Sequence, residues 1–323
     1  MAISSMSYHN SMMNYVSNQQ SDIYKLQMAI SNKKKYIYRS QDPINAMRAD
    51  NISNEYEMQK QYNSNVEAAY NVEQLANSTL DVVSGNFQRV YELMIQSQSG
   101  TQDASSLRTM SKEVDALLDS LIDLGNTTFN GVEIFAGTKT GEPPFEVRKD
   151  AVTGKEYVAF LDKKMDSTNI IDNKEVQLSQ NSKMSYGLNG SELFIFNAKL
   201  NTGTEDAPVM TDVEISSLDF LINLRDKLKA GQTPVAQDVE TLQAITNHMS
   251  DMKVKSSSTL DVLKTRKENF STVETAYNDT LSFLQDTDEA KATTELSKVK
   301  SSYEATLLLI SQMNKLSILN YIK

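Results

Sequence analysis

Few residues in this chain have the types and spacing that chemistry needs. There are two histidines, His9 and His248, far apart and in no zinc-type spacing such as H-E-x-x-H. Asp115 and Asp119 lie one helical turn apart, which reads as a solvated face before it reads as an acid/base pair. Residues 50–57, DNISNEYE, cluster carboxylates but lack the glycine and spacing of a calcium loop. No glycine-rich phosphate loop is present, and the chain has no cysteine, so disulfides and thiolate metal sites are excluded. The fifteen methionines mostly take heptad or terminal positions, which core or interface packing explains. No enzyme, cofactor or metal site is expected.

With 32 basic and 42 acidic residues the net charge is −10, which speaks against nucleic acid as a partner. The one basic run, Lys33-Lys34-Lys35, reads as a solvated helix end or linker. No run of about 18 apolar residues predicts a membrane span, and "MAISSMSYHNSMMNYV" has neither the basic nor the apolar region of a Sec-type signal.

What does stand out is the tail, "ATLLLISQMNKLSILNYIK" (305–323), which looks like core at a chain end. It carries ten large apolar side chains, each worth roughly 1.5–3 kcal/mol when fully buried. Ordering its nineteen residues costs about 1–2 kcal/mol each for backbone alone, so the two nearly cancel even at complete burial. The first thirty residues are similar: Met12, Val16, Ile23, Leu26 and Ile30 share one face, Gln19 fills the gap, and Asp22 and Lys25 are the only charges. Both ends are therefore expected to be loose in the free molecule and to fold into a core shared among subunits. The alternative is that they dock on their own chain. Met12, Val16, Ile23, Leu26, Ile30, Leu308, Ile310, Met313, Leu316 and Leu319 are the expected inter-subunit residues.

The elements that position these ends follow from breakers and periodicity. Eight of eleven glycines lie between Gly125 and Gly203, and Pro143, Pro144 and Pro208 fall in the same middle region. The flanks are almost free of breakers and carry heptads. One runs Tyr62, Val66, Ala69, Glu73, Ala76, Leu80, Val83, Phe87, Val90, Met94, interrupted only by Glu73; another runs from Leu107 to Leu124. A third runs from Val235 to Leu284 but places Lys253, Ser256, Lys267 and Glu274 at apolar positions. These four are read either as partly exposed or as meeting polar groups on a neighbouring molecule. Boundaries fall at residues 39–45, 97–103 (Ser105 or Asp103 as cap), 230–234 (Thr233 as cap, Pro234 first in the helix) and 285–292. Residues 145–162 read as a hairpin around Thr153-Gly154, and 174–179, 191–197 and 209–215 as strands. The expected fold is α+β: a coiled-coil-like helical rod from both halves of the chain with a small inserted β domain. The expected domains are 1–45 with 287–323 (terminal helices), 46–139 with 213–286 (rod) and 140–212 (β insertion).

Three stretches resemble the bacterial flagellin superfamily and, within it, the hook-associated protein 3 family of hook–filament junction proteins. Residues 6–52 resemble its terminal helix followed by a D-P-x-x-A-x-R-A pattern at Asp42, Pro43, Ala46, Arg48 and Ala49. Residues 126–145 resemble G-x-x-x-F-A-G-T-K-T-x-x-P-P-F, through Gly131, Phe135, Gly137, Pro143, Pro144 and Phe145. Residues 316–321 resemble the junction proteins' L-S-x-L-N-Y ending. A flagellin proper would carry DDAAG where this chain has QDPIN (41–45). The resemblance implies a structural adaptor between hook and filament, exported unfolded by the flagellar type III apparatus to the cell exterior. It implies as partners copies of the chain in a ring, a hook-side junction protein, flagellin, and an export chaperone on the C-terminal helix. The alternatives from other classes are a filament-forming flagellin and a secreted long-helix effector or adhesin.

Overall fold

The computed structural model describes residues 2–99, 103–139, 141–164, 171–201 and 209–321, excepting the side chains of 2–6, 164 and 314–321. The class is α+β, with long helices from both halves of the chain and a strand-bearing insertion between them. The chain divides into two compact units, Met1–Gln59 with Ser271–Lys323, and Lys60–Phe270.

Helix α1 (Ala2–Asn32) ends where Lys33 takes a left-handed backbone (φ 55°), earlier than the proline-centred break at 39–45 required. Pro43 begins helix α2 (Pro43–Ser97), as a residue with no backbone N–H to satisfy can. Asp42 caps it: its carboxylate accepts from the Asn45 backbone N–H (3.0 Å) and side-chain amide (2.7 Å), which hold it below the usual carboxylate range. Helix α3 (Ala104–Gly125) is capped by Asp103, whose carboxylate accepts from the Ser106 N–H at 2.8 Å.

The short pair β1 (Thr128–Phe129) and β2 (Val132–Glu133) leads to β3 (Phe145–Lys149), β4 (Glu156–Phe160) and β5 (Lys163–Lys164), which form a three-stranded antiparallel sheet in sequence order. Gly154 turns the β3–β4 hairpin at φ +69°, a conformation that favours glycine. Strands β6 (Lys174–Ser179) and β7 (Ser182–Tyr186) pair as a second hairpin. Residues 191–197 are not one strand. Asn189 caps a short helix, α4 (Gly190–Phe194), by accepting from the Glu192 N–H at 2.7 Å, and β8 (Ile195–Asn201) starts only afterwards. Strand β9 (Met210–Ser216) pairs with β8 and feeds helix α5 (Ser217–Lys229).

Helix α6 (Ala236–Gln285) begins after Thr233-Pro234, because Asp238 supplies the cap by accepting from the Val235 N–H at 2.8 Å. Helix α7 (Glu289–Tyr321) starts inside the expected break at 285–292, which narrows to residues 286–288.

The main core lies in the larger unit. From Val66 to Met94 every heptad residue of α2 is buried, Glu73 included. Leu107, Met110, Val114 and Leu121 of α3 and Leu242, Ile245 and Met249 of α6 join the same core. A smaller cluster seats the β6–β7 hairpin, with Val176 against Val66, Ala69 and Leu263.

Candidate functional site

In the smaller unit α1 packs on α7. Gln19 Nε2 donates to Ser302 Oγ (2.7 Å) and Lys33 pairs with Glu289 (3.1 Å), so the helices run antiparallel. The seam on α1 is Met12, Val16, Gln19, Ile23, Leu26 and Ile30, spaced alternately four and three. Val16 and Gln19 are buried and the other four half-buried. On α7 the covered positions Ala292, Leu296, Val299, Tyr303, Thr306, Ile310 and Met313 follow the same rule.

The three leucines of the tail are not in that seam. Leu307, Leu308 and Leu309 stay 42%, 64% and 51% exposed, while Thr306 beside them is buried and its hydroxyl bonds the Ser302 carbonyl at 2.8 Å. Leu308 thus faces solvent, and Ile310 and Met313 are half-buried within the chain's own pair. Leu316 and Leu319 lie in α7, but their side chains fall outside the described residues. Tyr8, Met13, Tyr15 and Tyr24 of α1 are also outward and exposed, each by about half or more. The sequence does not single out these four as contact residues, nor Leu307 and Leu309 beside Leu308, although both count among the tail's ten large apolar side chains. At 100° per residue Tyr8 and Tyr15 fall on one flank of the seam and Met13 and Tyr24 on the other, so no single stripe marked them.

The basic run closes this unit. Lys34 bridges to Asp286 as an antiparallel pair, through Lys35 N–H to the Gln285 carbonyl (2.7 Å) and Thr287 N–H to the Lys33 carbonyl (2.9 Å). Lys34 also ion-pairs with Asp286 (2.7 Å), and the ammonium of Lys35 lies over the Phe283 ring. It is more than a solvated linker: it ties the end of α1 to the α6–α7 junction.

The central motif is structural in the larger unit. Phe145 is buried between Phe160 and Phe194, with ring centroids at 5.1 and 5.3 Å. Its backbone is held at both ends by the Asn126 amide, at 2.9 Å each. A Cβ on Gly125 or Gly190 would fall 2.6 or 2.2 Å from the Phe145 ring, so both glycines make room for it. Phe135 is fully buried, Pro144 is buried and Pro143 exposed. Gly137 has φ +60° and lies against the Asp172 carbonyl. Thr140 lies outside the described residues.

His9 is exposed, whereas His248 stacks on Phe196 (4.1 Å between centroids) with Nε2 3.0 Å from the Glu192 carbonyl; burial holds its imidazole below the ordinary value. Among the described residues no group of three metal-ligating side chains converges.

Residues 3–140 match the family model of the bacterial flagellin N-terminal helical region. The flagellar hook-associated protein 3 of Escherichia coli (strain K12) is 26% identical over 233 residues, 71% of this chain and 67% of that protein. The crystal structure of flagellar hook associated protein-3 from Legionella pneumophila superposes with a TM-score of 0.59 at 14% identity, covering 74% of this chain and 98% of that one. Flagellin 1 of Proteus mirabilis is 30% identical, but over 81 residues only, 25% of this chain and 22% of that protein. The chain is thus similar over most of its length to proteins named flagellar hook-associated protein 3, and its first 140 residues are similar to the bacterial flagellin N-terminal helical region.

Proposed function

We infer that this chain is a mechanical adaptor of the bacterial flagellum, joining the hook, through a neighbouring junction protein, to the flagellin filament. The observation that carries this is the extent of likeness. The hook-associated relative matches across 71% of the chain, the flagellin relative across 25%. The helix pair α1–α7 supports the same reading from physics. It completes its own seam and leaves Leu307, Leu308, Leu309 and a set of tyrosines outside, which is the pattern of a surface awaiting other copies.

On this reading the chain acts outside the cell, non-enzymatically, as a ring of copies. Residues 1–45 and 287–323 line an inner tube, 46–139 and 213–286 form the rod, and 140–212 faces solvent. The contacts are head-to-tail, as a tubular lattice requires, and an export chaperone covers α7 before secretion through the type III apparatus. Electron microscopy of a deletion strain tests it: hooks without filaments are expected, with flagellin released into the medium. Intact filaments on the deletion strain would refute it. Polymerisation of the pure chain into long filaments would favour a filament subunit instead.

A further inference from the structure

A basic cleft lies in the larger unit. Its volume is about 920 Å3, and α3, the β3–β4 hairpin and α5 line it. Arg225, only 15% exposed, engages the three carboxylates there, Asp115, Glu156 and Asp226, at 2.9 Å each. That leaves Arg108, Lys112, Lys155 and Lys229 exposed and without an ion pair among the described residues. With Lys149, which pairs with Glu156, the lining holds six cations from three elements against three carboxylates, a local inversion of the field on a chain of net charge −10.

The same face of α3 continues into the opposite charge. Arg108, Lys112, Asp115, Asp119 and Asp123 follow one another at spacings of four, three, four and four, a single helical stripe. Asp119 and Asp123 are exposed and carry no ion pair among the described residues. Their position is unfavourable for the helix itself, since carboxylates near a C-terminus oppose the macrodipole, and the last turn has no basic residue to offset them. Helix stability does not account for this stripe. It is positive at one end and negative at the other, which suits contact with another copy of itself.

We propose that the cleft around Lys112, Lys155 and Lys229 is a subunit contact whose occupant is the Asp119–Asp123 end of α3 in a second copy of this chain. The lining mixes cations with carboxylates and a serine hydroxyl (Ser111), which fits a mixed-charge protein surface better than a uniformly anionic polymer. The proposal deepens the assembly reading by naming one contact.

Zero-length carbodiimide cross-linking of the purified full-length chain, mixed from two isotope labels, tests it directly. Lysine–carboxylate links between copies are expected from Lys112, Lys155 or Lys229 to Asp119 or Asp123 at low salt. Their yield should fall about tenfold at roughly 1 M salt, where the screening length is near 3 Å. K112E/K229E and D119K/D123K should each lower it about tenfold, and the two together should restore it, because the charges are exchanged and not removed. Circular dichroism of each variant monitors the fold, and the wild-type link map decides the matter even if a variant fails to fold. Absence of these inter-copy links overturns the proposal, as does either variant leaving the yield unchanged or the combination failing to recover it. Retention on a sulfated-polymer resin that K112E/K229E abolishes, without inter-copy links, would assign the cleft to a polyanion and overturn it too. A deletion strain with normal filaments would sink the adaptor reading while leaving observed links standing.

Discussion

Replacing Leu308 by lysine should separate assembly from folding. The Leu308 side chain is 64% exposed on α7, on the face away from the α1 seam, and it touches little that its own chain provides. Substituting such a position typically changes stability by less than about 0.5 kcal/mol. The purified L308K protein should therefore keep its helical content and its thermal midpoint. In an assembled tube the effect has another sign and size. Burying the exposed remainder of the leucine is worth roughly 1–2 kcal/mol per subunit, which the substitution forfeits. It also places an ammonium in an apolar contact, at a further cost of several kcal/mol unless a partner is found. A factor of at least about a hundred per contact follows at 1.4 kcal/mol per decade, and in the proposed ring every subunit would repeat it. The assay is complementation of a deletion strain, with filament-bearing hooks counted by electron microscopy beside unfolding curves of the purified protein. Normal filaments with L308K would refute the reasoning. So would an unfolded α7 in the purified variant, since Leu308 would then belong to the intrachain seam. Ile23→Lys is the matched control: Ile23 is half-buried between α1 and α7, so this variant should loosen the pair before assembly is reached.

Gln19→Leu should stabilise the α1–α7 pair by about 1 kcal/mol, because Gln19 is 6% exposed and its Oε1 is buried without a partner; slower amide exchange in α1 is the readout, and unchanged or faster exchange would contradict it. Phe145→Ala should cost about 3–5 kcal/mol in urea unfolding, given the rings of Phe160 and Phe194 against it; a loss under 1 kcal/mol would mean the motif is not a keystone. Burial raises the Glu73 carboxyl above its ordinary 4.5, against the bonds from Ser256 and Gly187 that favour its charged form. A raised folded value means stability is fullest below the unfolded value and is lost as pH rises through the folded one. Glu73→Gln should therefore flatten the decline above pH 4.5 and leave the variant the more stable at neutral pH, as unfolding curves at pH 4 and pH 7 would reveal.

The long helices were legible because their apolar residues repeat over many turns, and strand β6 because KEVQLS alternates cleanly within breakers. Where local chemistry competes, the sequence was ambiguous. SELFIFN has a strand's composition, yet a single side chain, Asn189, captures the Glu192 N–H and turns its first half into a helix. The start of α6 moved for the same kind of reason, Asp238 reaching back to Val235 after Thr233-Pro234 had offered a plausible start. The face of α7 was the hardest to read. Three consecutive leucines cover most of a helix's circumference, and the seam chose Thr306, whose spacing to Ile310 and Met313 is right although its composition is not.

The flawed seam of α6 shows how composition alone misleads. In the larger unit, Ser256 donates to the Glu73 carboxylate (2.6 Å), Lys267 pairs with Glu67 (3.1 Å) and lies over the Tyr70 ring, and Lys253 pairs with Asp81. In the smaller unit Glu274 accepts from the Tyr56 hydroxyl at 2.7 Å. Each polar interruption of α6 is met by a polar residue of α2 in the same chain, so no neighbouring molecule is needed to account for these four positions. The same matching explains Glu73, the one interruption on α2. Its second oxygen accepts from the Gly187 N–H (2.6 Å) at the end of β7, so one buried carboxylate holds α6 on one side and the β6–β7 hairpin on the other. A leucine there would add apolar burial but leave the Gly187 donor without its partner. It would also remove a polar match that one-heptad sliding of α2 against α6 breaks. Such pairs specify register more than they add stability, and the assembly proposed above would need that register.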